Sequence, residues 1–112
     1  MGGGPFAIFL TRSEGWAAGC TCLKAYQDLH GIRSVSGIVN RWAPSTDNND
    51  TEAYVTRVCV ATGFAPDQVI DLHDGPTMLK LVKAMAIEEA GSGVTWPQSE
   101  ILAGLRLAGL AI

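Results

Sequence analysis

The apolar residues of this chain recur at helical spacing, and this spacing most constrains the fold. The clearest stripe places apolar side chains at i, i+3, i+4 and i+7, on Val35, Ile38, Val39 and Trp42. Ser34 precedes the stripe as a predicted N-cap, and Pro44 follows it as a predicted terminator. The pattern predicts a short amphipathic helix between these two residues.

Caps and glycines predict four further helices. The five predicted helices lie between Thr11 and Gly31, between Ser34 and Pro44, between Asn49 or Asp50 and Gly63, between Pro76 and Gly91, and after Thr95. TRSE at residues 11–14 and TWPQ at residues 95–98 are predicted capping boxes. Residues 6–10 form an apolar run too short to distinguish a strand from an extended arm. The sequence therefore predicts an all-α fold of about five short helices in one domain, residues 1–112, with residues 1–10 as an extended arm.

The helical stripes also predict the core. Besides the stripe above, the residues predicted to face inward are Trp16, Cys20, Leu23, Tyr54, Val55, Val58, Ala61, Met78, Leu81, Val82, Met85, Ile101, Leu102, Leu105 and Ala108. Trp42 and Tyr54 are predicted to pack from two helices into one core, across the polar connector between them. Cys20, Cys22 and Cys59 are predicted to be small buried thiols that neither pair nor bind zinc.

The charge of the chain limits the classes of partner that we expect. There are 8 Lys and Arg residues against 11 Asp and Glu residues, a formal net charge of −3. No basic stripe is present that could neutralise nucleic acid phosphates or hold the chain on anionic lipid, so neither nucleic acid nor a membrane is an expected partner. The first ten residues have neither the positive charge nor the apolar length of a secretion signal, which predicts synthesis in the cytoplasm.

Two polar loops contain residue types that bind metals. Asp71, His73 and Asp74 lie together in DLHDG, but three ligands fall short of a closed metal site, and the following helix needs an N-cap that Asp74 can provide. The run DNNDTE resembles the start of a calcium loop, yet Glu52 stands where glycine is required and Val58 where a bidentate glutamate is required. We therefore expect these loops to form turns and caps, with no metal and no cofactor.

Glu14 has two competing interpretations. Its carboxylate lies between the predicted arm and the first helix, next to Trp16, where burial would favour the protonated form that a general acid needs. The same carboxylate closes the TRSE capping box, where it works best ionised. One carboxylate serves both roles poorly, and the cap is the favoured interpretation.

Four segments carry a resemblance that spans residues 6–110. They are FAIFLTRSEG, LKAYQDLHGIRSVSGIVNRWAP, NDTEAYV and ILAGLRLAG, and the most specific stretch is NRWAPSTDNNDTEAYV at residues 40–55. Together they resemble a family of phage and prophage proteins that includes virion structural proteins and lysozyme-like, peptidoglycan-degrading domains. The chain departs from that family because it lacks an Asn-Pro-Gly-Asn type segment before Phe6. It also has Gly15 before Trp16, where the family places the aromatic residue first.

The resemblance implies a lysozyme-like helical domain of phage origin that binds peptidoglycan or is associated with the virion, with little or no hydrolytic activity of its own. If the domain is active, the resemblance implies a glycoside hydrolase or lytic transglycosylase, and Glu14 is the candidate catalytic acid because of its position beside Trp16. Trp42, Tyr54, Asn49 and Asp50 are then the binding residues. A different class stays open, namely a small phage accessory protein that binds and inhibits a host protein, such as an anti-defence factor. The expected partner is accordingly peptidoglycan or a bacterial or phage protein.

Overall fold

The computed structural model describes residues 13–47, 50–91 and 96–112, and in these ranges all the regular structure is helical. The helices are α1 (Ser13–His30), α2 (Val35–Trp42), α3 (Thr51–Thr62), α4 (Gly75–Ala90) and α5 (Gln98–Leu107), with a short 3₁₀ turn at Ser45–Asp47. The predicted all-α fold of five helices is confirmed. The predicted arm at residues 1–10 and the Thr11 cap lie outside the described residues. None of the helices in the described ranges is both long and apolar enough to cross a membrane.

Side-chain caps define the starts of three helices. Each cap accepts the backbone N–H three residues later, at 3.1 Å for Ser34, 3.1 Å for Asp50 and 3.0 Å for Asp74. An oxygen at this position satisfies a donor that the helix itself leaves unpaired. The predicted caps Ser34 and Asp74 are confirmed, and of the two candidates for α3 it is Asp50 that forms the cap.

The start of α5 differs from the prediction. The helix begins at Gln98, with Pro97 at the N-cap position and no side-chain cap, which is later than a capping box at residues 95–98 predicts. Thr95 itself lies outside the described residues. The ring of Pro97 disfavours helical backbone at the preceding residue, and the helix therefore cannot extend back through Trp96. Trp96 instead packs edge-on against Trp16, with ring centroids 5.5 Å apart.

One core is shared by all five helices. Its largest fully buried side chains are Trp16, Leu23, Ile38, Leu72, Met78, Leu81, Met85, Leu105, Val35, Val39 and Val58. Most of the predicted inward positions are confirmed. Ala61 is exposed, however, because α3 turns Thr62 inward instead, where its hydroxyl donates to Val58 O at 2.8 Å. Leu102 and Ala108 are only half-buried, at the edges of α5 and its C-terminal turn.

The connection between α3 and α4 is hydrogen-bonded to the first two helices and to the segment between them. These bonds include Ser36 N to Pro66 O at 3.0 Å, Ile70 N to Arg33 O at 2.8 Å and Leu72 N to Gln27 Oε1 at 2.7 Å. The connection begins with a turn at Pro66 and Asp67. Leu72 is fully buried at its end, so this connection contributes to the core as well as joining two helices.

Helices α1 and α5 pack closely because α5 presents a glycine to α1. A Cβ added to Gly104 would clash with Trp16 Cβ and come within 2.8 Å of Ser13 O and 3.1 Å of Ala17 N. Glycine has no Cβ, so the two backbones can approach at this point. At the other end of the pair, Lys24 Nζ donates to Ala108 O at 2.7 Å, where a cation also suits the C-terminal end of the helix dipole.

We expect Gly104→Ala to lower the free energy of unfolding by roughly 1–3 kcal/mol, because the added methyl group forces α1 and α5 apart. Urea denaturation followed by circular dichroism measures the loss. Gly37→Ala is the matched control, since its Cβ would approach only side-chain atoms, Ile32 Cγ2 at 3.0 Å and Ser34 Oγ at 3.2 Å. An equal loss in both variants would contradict the assignment of the effect to the α1–α5 contact.

The cysteines differ in burial, which corrects the prediction that all three are buried. Cys20 is fully buried, whereas Cys22 and Cys59 are half-buried, and all three thiols are free. Burial raises the pKa of the Cys20 thiol to about 12. Cys20 therefore stays protonated and inaccessible at mildly alkaline pH.

The thiols should accordingly react in two classes. With iodoacetamide at mildly alkaline pH, the native protein should be modified at Cys22 and Cys59, and Cys20 should react only after unfolding in urea. Peptide mass spectrometry identifies the modified positions. Rapid alkylation of Cys20 in the native protein would show that α1 does not bury this face.

Candidate functional site

A polar cleft lies at the corner where α2 ends and α3 begins. It has a volume of about 350 Å³ and is lined by Ser36, Asn40, Ser45, Asp50, Thr51, Glu52 and Val55. Hydroxyl, amide and carboxylate groups make up most of this lining, and Val55 adds one apolar side chain. The cleft can therefore offer several hydrogen bonds to a polar ligand of small size.

The local sequence explains why a cleft forms at this corner. Pro44 follows the end of α2, and short polar residues continue into the 3₁₀ turn, so the chain cannot extend α2. Thr51 then begins α3, and its buried hydroxyl donates back to Ala43 O at 2.6 Å. This hydrogen bond ties the first residue of α3 to the end of α2 and fixes the distance across the cleft.

Some polar groups of the lining are engaged by the protein and others are available. Asn40 Nδ2 donates to Ser36 O at 2.7 Å, and Asp50 accepts from Ala53 N at 3.1 Å. Within residues 13–47, 50–91 and 96–112, no protein donor bonds the amide oxygen of Asn40 or the carboxylate of Glu52. These two acceptors lie on opposite sides of the corner, one on α2 and one in the first turn of α3.

The structure brings only part of the predicted binding set to the cleft. Asp50 lines it, and Asn49 lies outside the described residues. Trp42 and Tyr54 belong instead to the packing between helices, which confirms that they share one core. Trp42 is half-buried and donates from Nε1 to Glu89 Oε1 at 3.2 Å, while Tyr54 is only 5% exposed. Neither ring is among the residues that line the cleft.

Sequence reasoning missed six of the seven residues of the lining, which are Ser36, Asn40, Ser45, Thr51, Glu52 and Val55. A signal for two of them was present, because Ser36 and Asn40 are four residues apart and so share one face of α2. That face is polar and lies opposite the apolar stripe. Its convergence with Glu52 depends on the angle of the corner, which the sequence pattern does not define.

Glu14 lies in a different part of the molecule. It is in the first turn of α1 and is exposed, and it is not among the residues that line the cleft. The burial on which a general acid role depends is therefore not found, although the neighbouring Trp16 is fully buried. A negative charge in the first turn interacts favourably with the helix dipole, which agrees with the cap interpretation.

The DLHDG loop forms turns and a cap, as predicted. The backbone N–H of His73 and the side chain of Gln27 both donate to Asp71, and these hydrogen bonds lower the pKa of its carboxyl. His73 Nε2 lies 2.7 Å from Asp28 Oδ1, and Asp74 caps α4. In the part of the chain that the structure describes, no three His, Cys, Asp or Glu side chains are grouped to hold a metal ion.

Comparison with known proteins points to a phage. No family model matches the chain. The chain is 36% identical over 87 residues to Protein P5 of Pseudoalteromonas phage PM2, a match that covers 78% of this chain and 52% of that protein. The chain therefore spans about half the length of this relative. The similarity supports the predicted phage relationship, and it shows nothing about a lysozyme-like activity.

Proposed function

We propose that this chain is a phage-derived, virion-associated domain that binds the glycan strands of peptidoglycan in the cleft between α2 and α3 and does not cleave them. The similarity to a phage protein supports the origin. The observation that carries the binding proposal is the polar lining of the cleft, in which Asn40 and Glu52 present free acceptors from two helices. Glycan strands are rich in hydroxyl and acetamido groups, which donate hydrogen bonds to such acceptors.

The carboxylates of the molecule support binding rather than hydrolysis. Glycoside cleavage generally uses two carboxyl groups on either side of the bond, roughly 5–9.5 Å apart, one of which donates a proton. Asp50 in the cleft accepts the N–H of Ala53, a role that occupies it as a helix cap. Glu14, the predicted acid, is exposed on α1 and does not line the cleft.

Binding is tested by co-sedimentation of the chain with purified peptidoglycan sacculi. We expect Glu52→Gln to weaken the apparent Kd about tenfold, the effect of losing one hydrogen bond to a charged acceptor. Glu100→Gln is the matched control, because Glu100 is likewise the acidic residue in the first turn of a helix, α5, and lies outside the cleft lining.

Two results would overturn the binding proposal. The first is that the parent chain does not sediment with sacculi. The second is that both variants weaken binding equally, since a general loss of negative charge rather than the cleft would then explain the effect.

Hydrolysis is tested separately by the turbidity of a cell wall suspension. We expect the parent chain and Glu14→Gln to leave the turbidity equally unchanged over the time in which a glycoside hydrolase clears it. Thermal melts of both proteins should nearly coincide, because an exposed first-turn carboxylate contributes only about 0.3–1 kcal/mol. If the parent chain clears the suspension and Glu14→Gln abolishes that clearing, Glu14 is the catalytic acid. The proposal that the domain binds peptidoglycan without cleaving it is then wrong.

The second candidate function is the binding and inhibition of a host protein. It requires a surface that can dock a protein segment, and one observation favours it. A groove between α3 and α4, lined mainly by apolar atoms and two lysines, lies outside the polar cleft.

A further inference from the structure

A groove lies between α3 and α4, away from the polar cleft. It has a volume of about 270 Å³ and is lined by Ala61, Leu79, Lys80, Lys83, Ala84 and Ile87. Ala61 forms the α3 wall, and the other five residues form the α4 wall. The floor is apolar, and the two lysines lie at its edge, so the groove differs in chemistry from the polar cleft.

The α4 wall has the spacing of a single helix face. Lys80, Lys83, Ala84 and Ile87 follow one another at i, i+3, i+4 and i+7. Lys80, Lys83 and Ile87 on this face are exposed, Ile87 by 39%, whereas Ala84 between them is buried. A groove beside such a face, with the small side chains of two alanines in its lining, has the form that receives the apolar ridge of another helix.

The lysines at the edge of the groove have neutral neighbours. Lys80 Nζ lies 5.9 Å from the centre of the Phe64 ring, and Lys83 Nζ lies 3.5 Å from Gln98 Oε1. Neither forms an ion pair with a carboxylate in the described ranges, whereas Arg57 on the neighbouring helix pairs with Glu88 at 2.7 Å. Two unpaired cations beside an apolar floor are notable in a chain whose net charge is −3.

We propose that this groove docks an amphipathic helix of a partner protein, with apolar side chains on the groove floor and carboxylates paired with Lys80 and Lys83. The lining of the groove contains two cations and no anion, so a partner of complementary charge carries carboxylates at the matching positions. The concave shape and the presence of only two cations favour a helix over an anionic lipid surface, which binds broad polybasic patches. This surface is independent of the glycan cleft.

The probe is a fluorescein-labelled designed peptide of roughly 18 residues, about five helical turns. It carries leucines at i, i+3, i+4 and i+7 and glutamates flanking them, and a second peptide carries lysines in place of the glutamates. Fluorescence anisotropy with the full chain at low salt gives both dissociation constants. We expect the acidic peptide to bind at least about tenfold more tightly than the basic one, and to weaken as salt is added.

Variants locate the binding site. Lys80→Glu combined with Lys83→Glu should reverse the preference between the two peptides, because the attraction at the groove edge changes sign. Arg41→Glu combined with Arg106→Glu is the matched control, since it makes the same change in net charge at exposed residues outside the groove and should keep the preference. Ala61→Trp, at an exposed position, should fill the groove and abolish binding of the acidic peptide, with an unchanged circular dichroism spectrum.

Five results would overturn the proposal. Equal binding of both peptides, or no binding of either, would remove the acidic helix as the occupant. Equal effects of the two double variants would assign the attraction to net charge. If the chain binds no peptide but binds phosphatidylglycerol vesicles, and Ala61→Trp abolishes the vesicle binding, the groove is a lipid site. A dimer in analytical ultracentrifugation that Ala61→Trp converts to monomer would make the occupant a second copy. Glu52→Gln should leave peptide binding unchanged, so the outcome here does not depend on the fate of the glycan proposal.

Discussion

The close contact between α1 and α5 at Gly104 is the interaction on which the rest of the fold depends. It returns the last helix to the first, so that Trp16 is covered by α5 and by Trp96 from the segment before it. A chain of this length has few large aromatic side chains with which to fill a core. Because Gly104 in α5 has no Cβ, the indole of Trp16 can be buried between the two helices. Its burial lets the short helices pack into a single unit.

The corner between α2 and α3 combines structural and chemical roles in one short segment. Pro44, the 3₁₀ turn and the Asp50 cap are needed simply to end one helix and begin another. Asp50 and Thr51, which satisfy backbone groups at the helix ends, also line the cleft, and the Thr51 hydroxyl holds the two sides together through Ala43. A binding surface therefore arises here at little cost to stability, because the polar groups are already required at the corner.

Sequence reasoning succeeds here where the determinant is local. The caps at Ser34, Asp50 and Asp74 and the apolar stripes of the helices depend on residues within one or two turns, and the structure confirms them. The cleft depends on the angle between two helices, which follows from packing of the whole core. For that reason Asn40 and Glu52 were missed, while Trp42 and Tyr54, conspicuous in the sequence, belong to the packing between helices. The later start of α5 has a local cause that the sequence did contain, the ring of Pro97.

Hydrogen bonds join the connection between α3 and α4 to Gln27 in α1, to Arg33 between α1 and α2, and to Ser36 in α2. The loop is thus attached to helices other than the two it joins, and it cannot detach without freeing backbone groups in the first half of the chain. Local opening is normally easiest in loops, where few bonds must break. This loop therefore connects the two halves of the molecule, and the amide protons of Ile70 and Leu72 are expected to exchange with solvent only when the domain opens as a whole.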